Sequence, residues 1–224
     1  CPELYCEELI VAARHIEVQI LGDGTGNTVH FAERDCSVQR RHQKLIEIAP
    51  SPSLDTSVRE ALIHAAQKMA SRLKYRGLGT FEFLLDTKAA GRFVFIEANP
   101  RIQVEHTVTE EVFGVDLVQA QIRTCLGASL TDLDLSQERI GVPRGYAIQL
   151  RINAESMQSD GSVLPSSGQI TSLDMPMGTG IRVDGMAYVG YRNSPSFDSL
   201  LTKLIVHSRS HDYQDLISKA KRAL

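Results

Sequence analysis

Two short apolar runs, each interrupted by a single carboxylate, constrain this chain more than any other feature. They are Thr80-Phe81-Glu82-Phe83-Leu84-Leu85 and Phe93-Val94-Phe95-Ile96-Glu97-Ala98-Asn99. Both are rich in aromatic and branched residues and too short for helices, so they read as strands joined by a loop holding Gly91. Side chains alternate between the two faces of a strand. Paired as a hairpin, the runs put Glu82 and Glu97 on one face, with Asn99 two residues further along it. Phe81, Phe83 and Leu85 then fill the opposite face. That face needs helices to cover it, which points to an α+β chain of antiparallel sheet and packed helices.

The rest of the chain supplies such elements. Arg14 to Leu21 alternates, with Ile16, Val18 and Ile20 against His15, Glu17 and Gln19, as in a half-buried strand. Asp23 to Asn27 is a turn signal, Thr28 to Ala32 reads as the returning strand, and Glu33 to Lys44 as a polar, basic loop. Asp55 or Thr56 opens a helix in which Val58, Leu62, Ala65, Ala66, Met69 and Leu73 recur at helical spacing, with Gly77 as its stop. Asp116 opens another, closed by Gly127. Ser129 to Pro143 is weakly patterned, and a boundary is expected there, dividing the chain into 1–128 and 129–224. Strands follow at Tyr146–Ile152, Gln169–Leu173, Ile181–Asp184 and Leu200–His207, with a last helix beginning near Asp212.

Composition excludes several function classes. The 224 residues are 42% hydrophobic and 23% charged, with net charge −3, so there is no general attraction for nucleic acid or a membrane surface. No apolar run approaches a bilayer span. The one basic stretch, Gln39-Arg40-Arg41-His42-Gln43-Lys44, lacks the interleaved aromatics of a single-strand binder. Cys1, Cys6, Cys36 and Cys125 form no paired ligand motif, which suits a reducing compartment. A cytoplasmic location is expected, with the mitochondrial matrix as the other reading. The opening residues read as the middle of a domain, so the chain is expected to be a fragment.

Two glutamates and an amide make an all-oxygen set suited to Mg²⁺ or Mn²⁺ rather than zinc. Two surface glutamates on a solvated sheet face suit the same pattern. Downstream, Arg101, Gln103 and Glu105 are spaced by two, so in an extended segment they point together. They could hold and deprotonate a small oxyanion, or form an exposed polar edge. The basic loop beside such a site is what phosphate neutralisation requires. Arg151, Asp198 and Lys203 read on pattern alone as surface charges.

Taken together, these segments resemble biotin carboxylase. The runs that carry the resemblance are Arg14–Gln19, Glu33–Lys44, Gly79–Phe83, Asn99–Val108, Arg151–Glu155 and Asp198–Leu201, in the family's order and across the whole chain. The resemblance implies part of an ATP-grasp domain over 1–128, followed by the biotin carboxylase C-terminal domain over 129–224. It implies an ATP-dependent ligase that activates bicarbonate as carboxyphosphate and carboxylates the N1′ of biotin on a carrier domain.

Carried over by motif, Glu82 and Glu97 hold Mg²⁺ or Mn²⁺, with Asn99 close by. Gln39 and His42 contact ATP, His15 lies near its adenosine end, and Glu7 and Leu84 border the adenine. Lys44, Arg101, Gln103 and the Val104 backbone grip bicarbonate. Glu105 is the base, and Arg151 stabilises the biotin enolate. The implied partners are a biotin carboxyl carrier domain, a carboxyltransferase domain or subunit, and further copies in a homo-oligomer. Two positions depart from the pattern: Glu8 stands where the family carries a basic residue, and Phe197 where it carries Tyr. As a fragment the chain is expected to be inactive alone. The competing readings are a carbamoyl-phosphate synthase-like ligase and a catalytically dead ATP-grasp assembly module.

Overall fold

The computed structural model describes residues 4, 6–194, 196 and 198–224. In the first half, strands β1 (Ala13–Asp23), β2 (Thr28–Arg40) and β3 (Gln43–Ala49) precede helix α1 (Thr56–Arg72). The hairpin β4 (Arg76–Asp86) and β5 (Phe93–Asn99) follows, then helices α2 (His106–Phe113), α3 (Leu117–Cys125) and the single turn α4 (Gln137–Ile140). The second half holds β6 (Tyr146–Asn153), β7 (Glu155–Met157), β8 (Val163–Pro165), β9 (Gly168–Gln169), β10 (Ile181–Gly185), β11 (Arg192–Asn193), β12 (Leu200–Ser208) and α5 (Tyr213–Ala223).

Eight strands form one sheet in the order β10-β12-β6-β3-β2-β1-β4-β5. Strands from both halves of the chain therefore share one hydrogen-bonded sheet, joined where β3 meets β6. Residues directly opposite each other point to the same face. Ile16, Asp35, Ile48, Ile148 and Val206 are such a row, and this face is covered by α1 and α5. Val58, Leu62 and Ala66 of α1 pack on Ile16, Val18, Phe81 and Phe83. Leu216 and Ala220 of α5 pack on Ile48, Ile148, Leu204 and Val206. On the other face Val108 and Val112 of α2 and Leu117 of α3 close over Leu21, Phe31, Leu78 and Ile205.

Several expectations need correction. Arg14–Leu21 is not half-buried: Glu17 and Gln19 are as buried as Ile16 and Val18, because the polar face is satisfied from within the protein. Glu33–Lys44 is not a loop. It is the end of β2 and the start of β3, joined by Arg41 and His42 alone, which take φ of 50° and 66°. Two positive φ values in a two-residue connection make the hairpin turn whose twist matches its strands. Here it is built without Gly or Asn, so its sequence gives no turn signal. Helix α1 ends at Arg72, and Gly77 lies inside β4. Lys74, at φ 48°, reverses the chain earlier than expected. The strand expected over Gln169–Leu173 is reduced to Gly168–Gln169. Helix α2 was not anticipated. In the weakly patterned stretch, Leu130 and Ile140 are buried in the same cluster as Ala147 and Ile205.

Candidate active site

The face opposite α1 carries a row of polar residues across the sheet. Glu97 stands opposite Glu82, Glu82 opposite Glu17, and Glu17 opposite Arg34. Past a bulge, Glu47 stands opposite Gln149. Most of this row is inside the protein, so each charge must be paired there. Arg34 is fully buried and pairs with Glu17, donates to Gln19 Oε1 at 2.8 Å, and reaches Thr109 Oγ1 of α2 at 2.9 Å. Burial works to raise the Glu17 carboxyl, but the charges of Arg34 and Lys44 outweigh it and hold the group ionised.

At one end of the row, Glu82 collects four donors. His15 Nε2 lies 2.5 Å from Oε2, while Gln103 Nε2 at 2.9 Å, Asn99 Nδ2 at 2.8 Å and Lys44 Nζ at 3.5 Å converge on Oε1. Gln39 Nε2 donates to His15 Nδ1 at 2.8 Å, which leaves the ring proton on Nε2, facing Glu82. Burial pushes the Glu82 carboxyl up, but the His15 hydrogen bond, the Lys44 charge and the Gln103 hydrogen bond together bring it down to about 2. Asn99 Nδ2 also donates to Glu97 Oε1 at 2.9 Å. One amide thus ties both carboxylates to a single point.

At the other end, Lys44 and Arg151 flank Glu105. Lys44 Nζ donates to Glu105 Oε1 and Glu17 Oε2, each at 2.7 Å, and Arg151 reaches Glu105 Oε2 at 3.1 Å. Burial favours the neutral amine of Lys44, yet Glu17, Glu105 and Glu82 raise its pKa well above the usual lysine value. It is a fixed cation. Lys44, Glu105 and Arg151 line, with Glu82 and Glu97, one open cavity of about 390 Å³.

The cavity gathers most residues singled out in the sequence. His15, Gln39, His42, Lys44, Glu82, Glu97, Asn99, Arg101, Gln103, Val104, Glu105 and Arg151 all line it. Glu7 and Leu84 are not among its lining residues. Glu7 is exposed ahead of β1, and Leu84 is half-buried opposite His15 and Val94. Arg101, Gln103 and Glu105 share this cavity, though not as one extended segment. Gln103 and Glu105 turn inward at the start of α2, while Arg101 stays at the exposed rim and donates to Ile102 O at 3.2 Å.

Residues 1–133 match the carbamoyl-phosphate synthase L chain, ATP binding domain, and residues 149–224 match the biotin carboxylase C-terminal domain. The chain belongs to the biotin carboxylase family. A biotin carboxylase from a Nostoc species is 49% identical over 99% of this chain and 47% of its own length. Pyruvate carboxylase 1 of Caenorhabditis elegans is 51% identical over 93% of this chain and 17% of its own. The biotin carboxylase domain of a single-chain bacterial carboxylase superposes with a TM-score of 0.88 at 48% identity, covering 98% of this chain and 49% of that one. The chain thus spans about half the length of the curated biotin carboxylases it matches. Its fold is the ATP-grasp type with the family's C-terminal domain.

Within the biotin carboxylase family, the departure at Glu8 has a local partner here: Arg92 donates to it at 2.6 Å on the surface. Phe197 lies outside the described residues. Sequence reasoning gave no role to Arg34, Glu47, Gln149 or Thr109, since a buried polar network has no period of its own. Lys203, read as a surface charge, is largely buried and donates to Val104 O at 3.0 Å. Among the described residues, no helix is long and apolar enough to cross a membrane.

Proposed function

We propose that this chain carries the bicarbonate and biotin chemistry of a biotin carboxylase, an ATP-dependent ligase. The observation that carries the reading is Glu105, clamped between Lys44 and Arg151 in the cavity that also holds Glu82 and Glu97. A carboxylate between two cations beside a paired acidic site has little to offer a passive core. It suits an oxyanion substrate that must lose a proton next to a metal-bound triphosphate.

The residues fit a hard divalent cation. Glu82 and Glu97 are opposite one another, share the Asn99 amide, and offer only oxygen. Mg²⁺ or Mn²⁺ held by these residues would polarise the terminal phosphate of ATP. Gln39 and His42, at the turn of the β2–β3 hairpin, are assigned to the nucleotide. His15, Glu7 and Leu84 are assigned to its adenosine end. Lys44, Arg101, Gln103 and the Val104 backbone bind bicarbonate, and Glu105 takes its proton as general base. The bicarbonate oxygen then attacks the terminal phosphorus, ADP leaves, and carboxyphosphate forms. This breaks down to CO₂ and phosphate; the phosphate takes the N1′ proton of biotin, and N1′ captures the CO₂ while Arg151 stabilises the ureido oxyanion.

The assignment extends to domains at 1–128 and 129–224, and to a biotin carboxyl carrier domain and a carboxyltransferase as partners. It also includes assembly as a homo-oligomer and a cytoplasmic or mitochondrial-matrix location. The test is ATP cleavage by the full-length protein with and without bicarbonate and free biotin, in wild type and Arg151→Ala. Bicarbonate-dependent cleavage is expected in both proteins, with biotin carboxylation lost far more strongly in the variant. Absence of bicarbonate dependence in wild type would overturn the reading. Equal losses of both activities in Arg151→Ala would remove its biotin-specific role.

A further inference from the structure

Glu47 lies outside every run that carries the family resemblance, and none of its surface is exposed. It sits on β3 behind Arg151. Its Oε1 accepts from Arg151 Nε at 2.6 Å, and its Oε2 accepts from Gln149 Nε2 at 2.9 Å. Gln149 is held in turn by Thr107 Oγ1 of α2 at 2.6 Å. The carboxylate is therefore fixed from the arginine side and from the helix side at once.

Arg151 sits between two acids. Its Nε edge is taken by Glu47, and one terminal nitrogen reaches Glu105 at 3.1 Å. A guanidinium is planar with a rigid fork of donors, so binding one edge sets the direction of the rest. Without Glu47, nothing in this arrangement would keep the guanidinium from swinging fully on to Glu105, its other carboxylate partner. The arginine would then be turned from the acceptor.

We infer that Glu47 is a positioning residue: it anchors Arg151 by its Nε edge, so that the guanidinium stays turned towards the biotin acceptor. This rests on the function proposed above. The cost of keeping an acid at this position supports it. Burial raises the Glu47 carboxyl to about 7 even against the pull of Arg151. A packed apolar side chain would serve a purely structural role at least as well.

Glu47→Gln and Glu47→Asp in the full-length protein test the inference, with kcat and KM for biotin measured beside bicarbonate-dependent ATP cleavage without biotin. Glu47→Gln is expected to lower kcat for biotin carboxylation roughly tenfold, and ATP cleavage by no more than about threefold. Glu47→Asp keeps the charge but draws it back, so it should show the same split at a smaller size. The aspartate variant also decides the matter if the glutamine variant does not fold. Parallel losses in both activities, or a wild-type ratio in the aspartate variant, would overturn the inference. Hydrogen exchange at Arg151 Nε is a readout independent of turnover. It should be slow in wild type and fast once Glu47 is replaced, and equal rates would refute the anchoring. A wild-type protein with no bicarbonate-dependent cleavage but slow Nε exchange would sink the proposed function and leave the anchor standing.

Discussion

Replacing Arg34 with methionine tests whether the polar row is held together as the geometry requires. Arg34 is wholly buried and supplies donors to Glu17, Gln19, Thr109 and, at 3.3 Å, Thr80. Methionine keeps much of the volume but none of the donors. Glu17 is then a buried carboxylate facing Lys44 alone. Removing one member of a buried ion pair costs about 3–5 kcal/mol, chiefly because the other charge stays behind. For a protein of this size each kcal/mol moves the melting point by about 2–4 °C, so a fall of about 10 °C is expected. Converting Glu17 to glutamine in the same protein removes the stranded charge and still leaves an oxygen for Lys44. That double variant should regain at least half of the loss. Urea and thermal unfolding of wild type, the two single variants and the double variant complete the cycle. A loss below about 1 kcal/mol for Arg34→Met, or no recovery in the double variant, would show that this pair does not organise the sheet face.

Three further outcomes follow from the same geometry. Glu82→Gln or Glu97→Gln should abolish saturable Mg²⁺ dependence of ATP turnover, and wild-type metal titration in either variant would remove that residue from the ligand set. Glu105→Gln should lower biotin carboxylation by about 10²–10⁴ while ATP affinity stays within a few-fold; a parallel collapse of ATP affinity would make the residue structural. Glu47 ionises near 7 in the folded protein, against 4.5 for an ordinary glutamate, so between those values the unfolded chain ionises first and wild type loses stability as pH rises. The Glu47→Gln variant has no titrating group at this position. The stability difference between the two proteins should therefore move by about 2–3 kcal/mol in the variant's favour from about pH 5 to about pH 8, and a difference constant with pH, measured by urea unfolding, would contradict the burial of a charge there.

The strands and helices with apolar periodicity were legible because each needs only its own residues to declare itself. Phe81, Phe83 and Leu85 lie under α1 as their spacing required, and Asp116 and Asp212 cap α3 and α5 with their side chains. Legibility failed where long-range pairing decides. Glu33, Arg34 and Asp35 look like loop residues because they are charged, yet they are strand residues neutralised by Ser51, Arg59, Glu17 and Arg14 from other elements. The turn at Arg41 and His42 carries no Gly or Asn, and a positive φ on both residues is enforced by the two strands rather than by its own chemistry. For the site, paired carboxylates on neighbouring strands could be foreseen from alternation alone. The inward turn of Gln103 and Glu105 could not, since it depends on where α2 begins.

The distribution of charge along the row ties the fold to the chemistry. Around it stand the acids Glu17, Glu47, Glu82, Glu97 and Glu105 and the buried or half-buried cations Arg34, Lys44 and Arg151. The cations are not spread evenly. Arg34 is consumed by Glu17 at the centre, and Lys44 and Arg151 cluster at Glu105. Among the described residues, Glu97 makes no ion pair, and its carboxylate is held only by the neutral Asn99 amide. Negative charge is therefore left over at the β4–β5 end, while at the end bordered by β3 and β6 Lys44 and Arg151 offset Glu105 and Glu47. An arrangement selected for stability alone would pair each acid locally, since an uncompensated carboxylate near a buried one is repulsive. Keeping the unpaired acid at one end and both cations at the other, across one cavity, instead leaves an acidic end for a cation and cationic donors for an oxyanion. The proposed reaction needs both of these within reach of one phosphate.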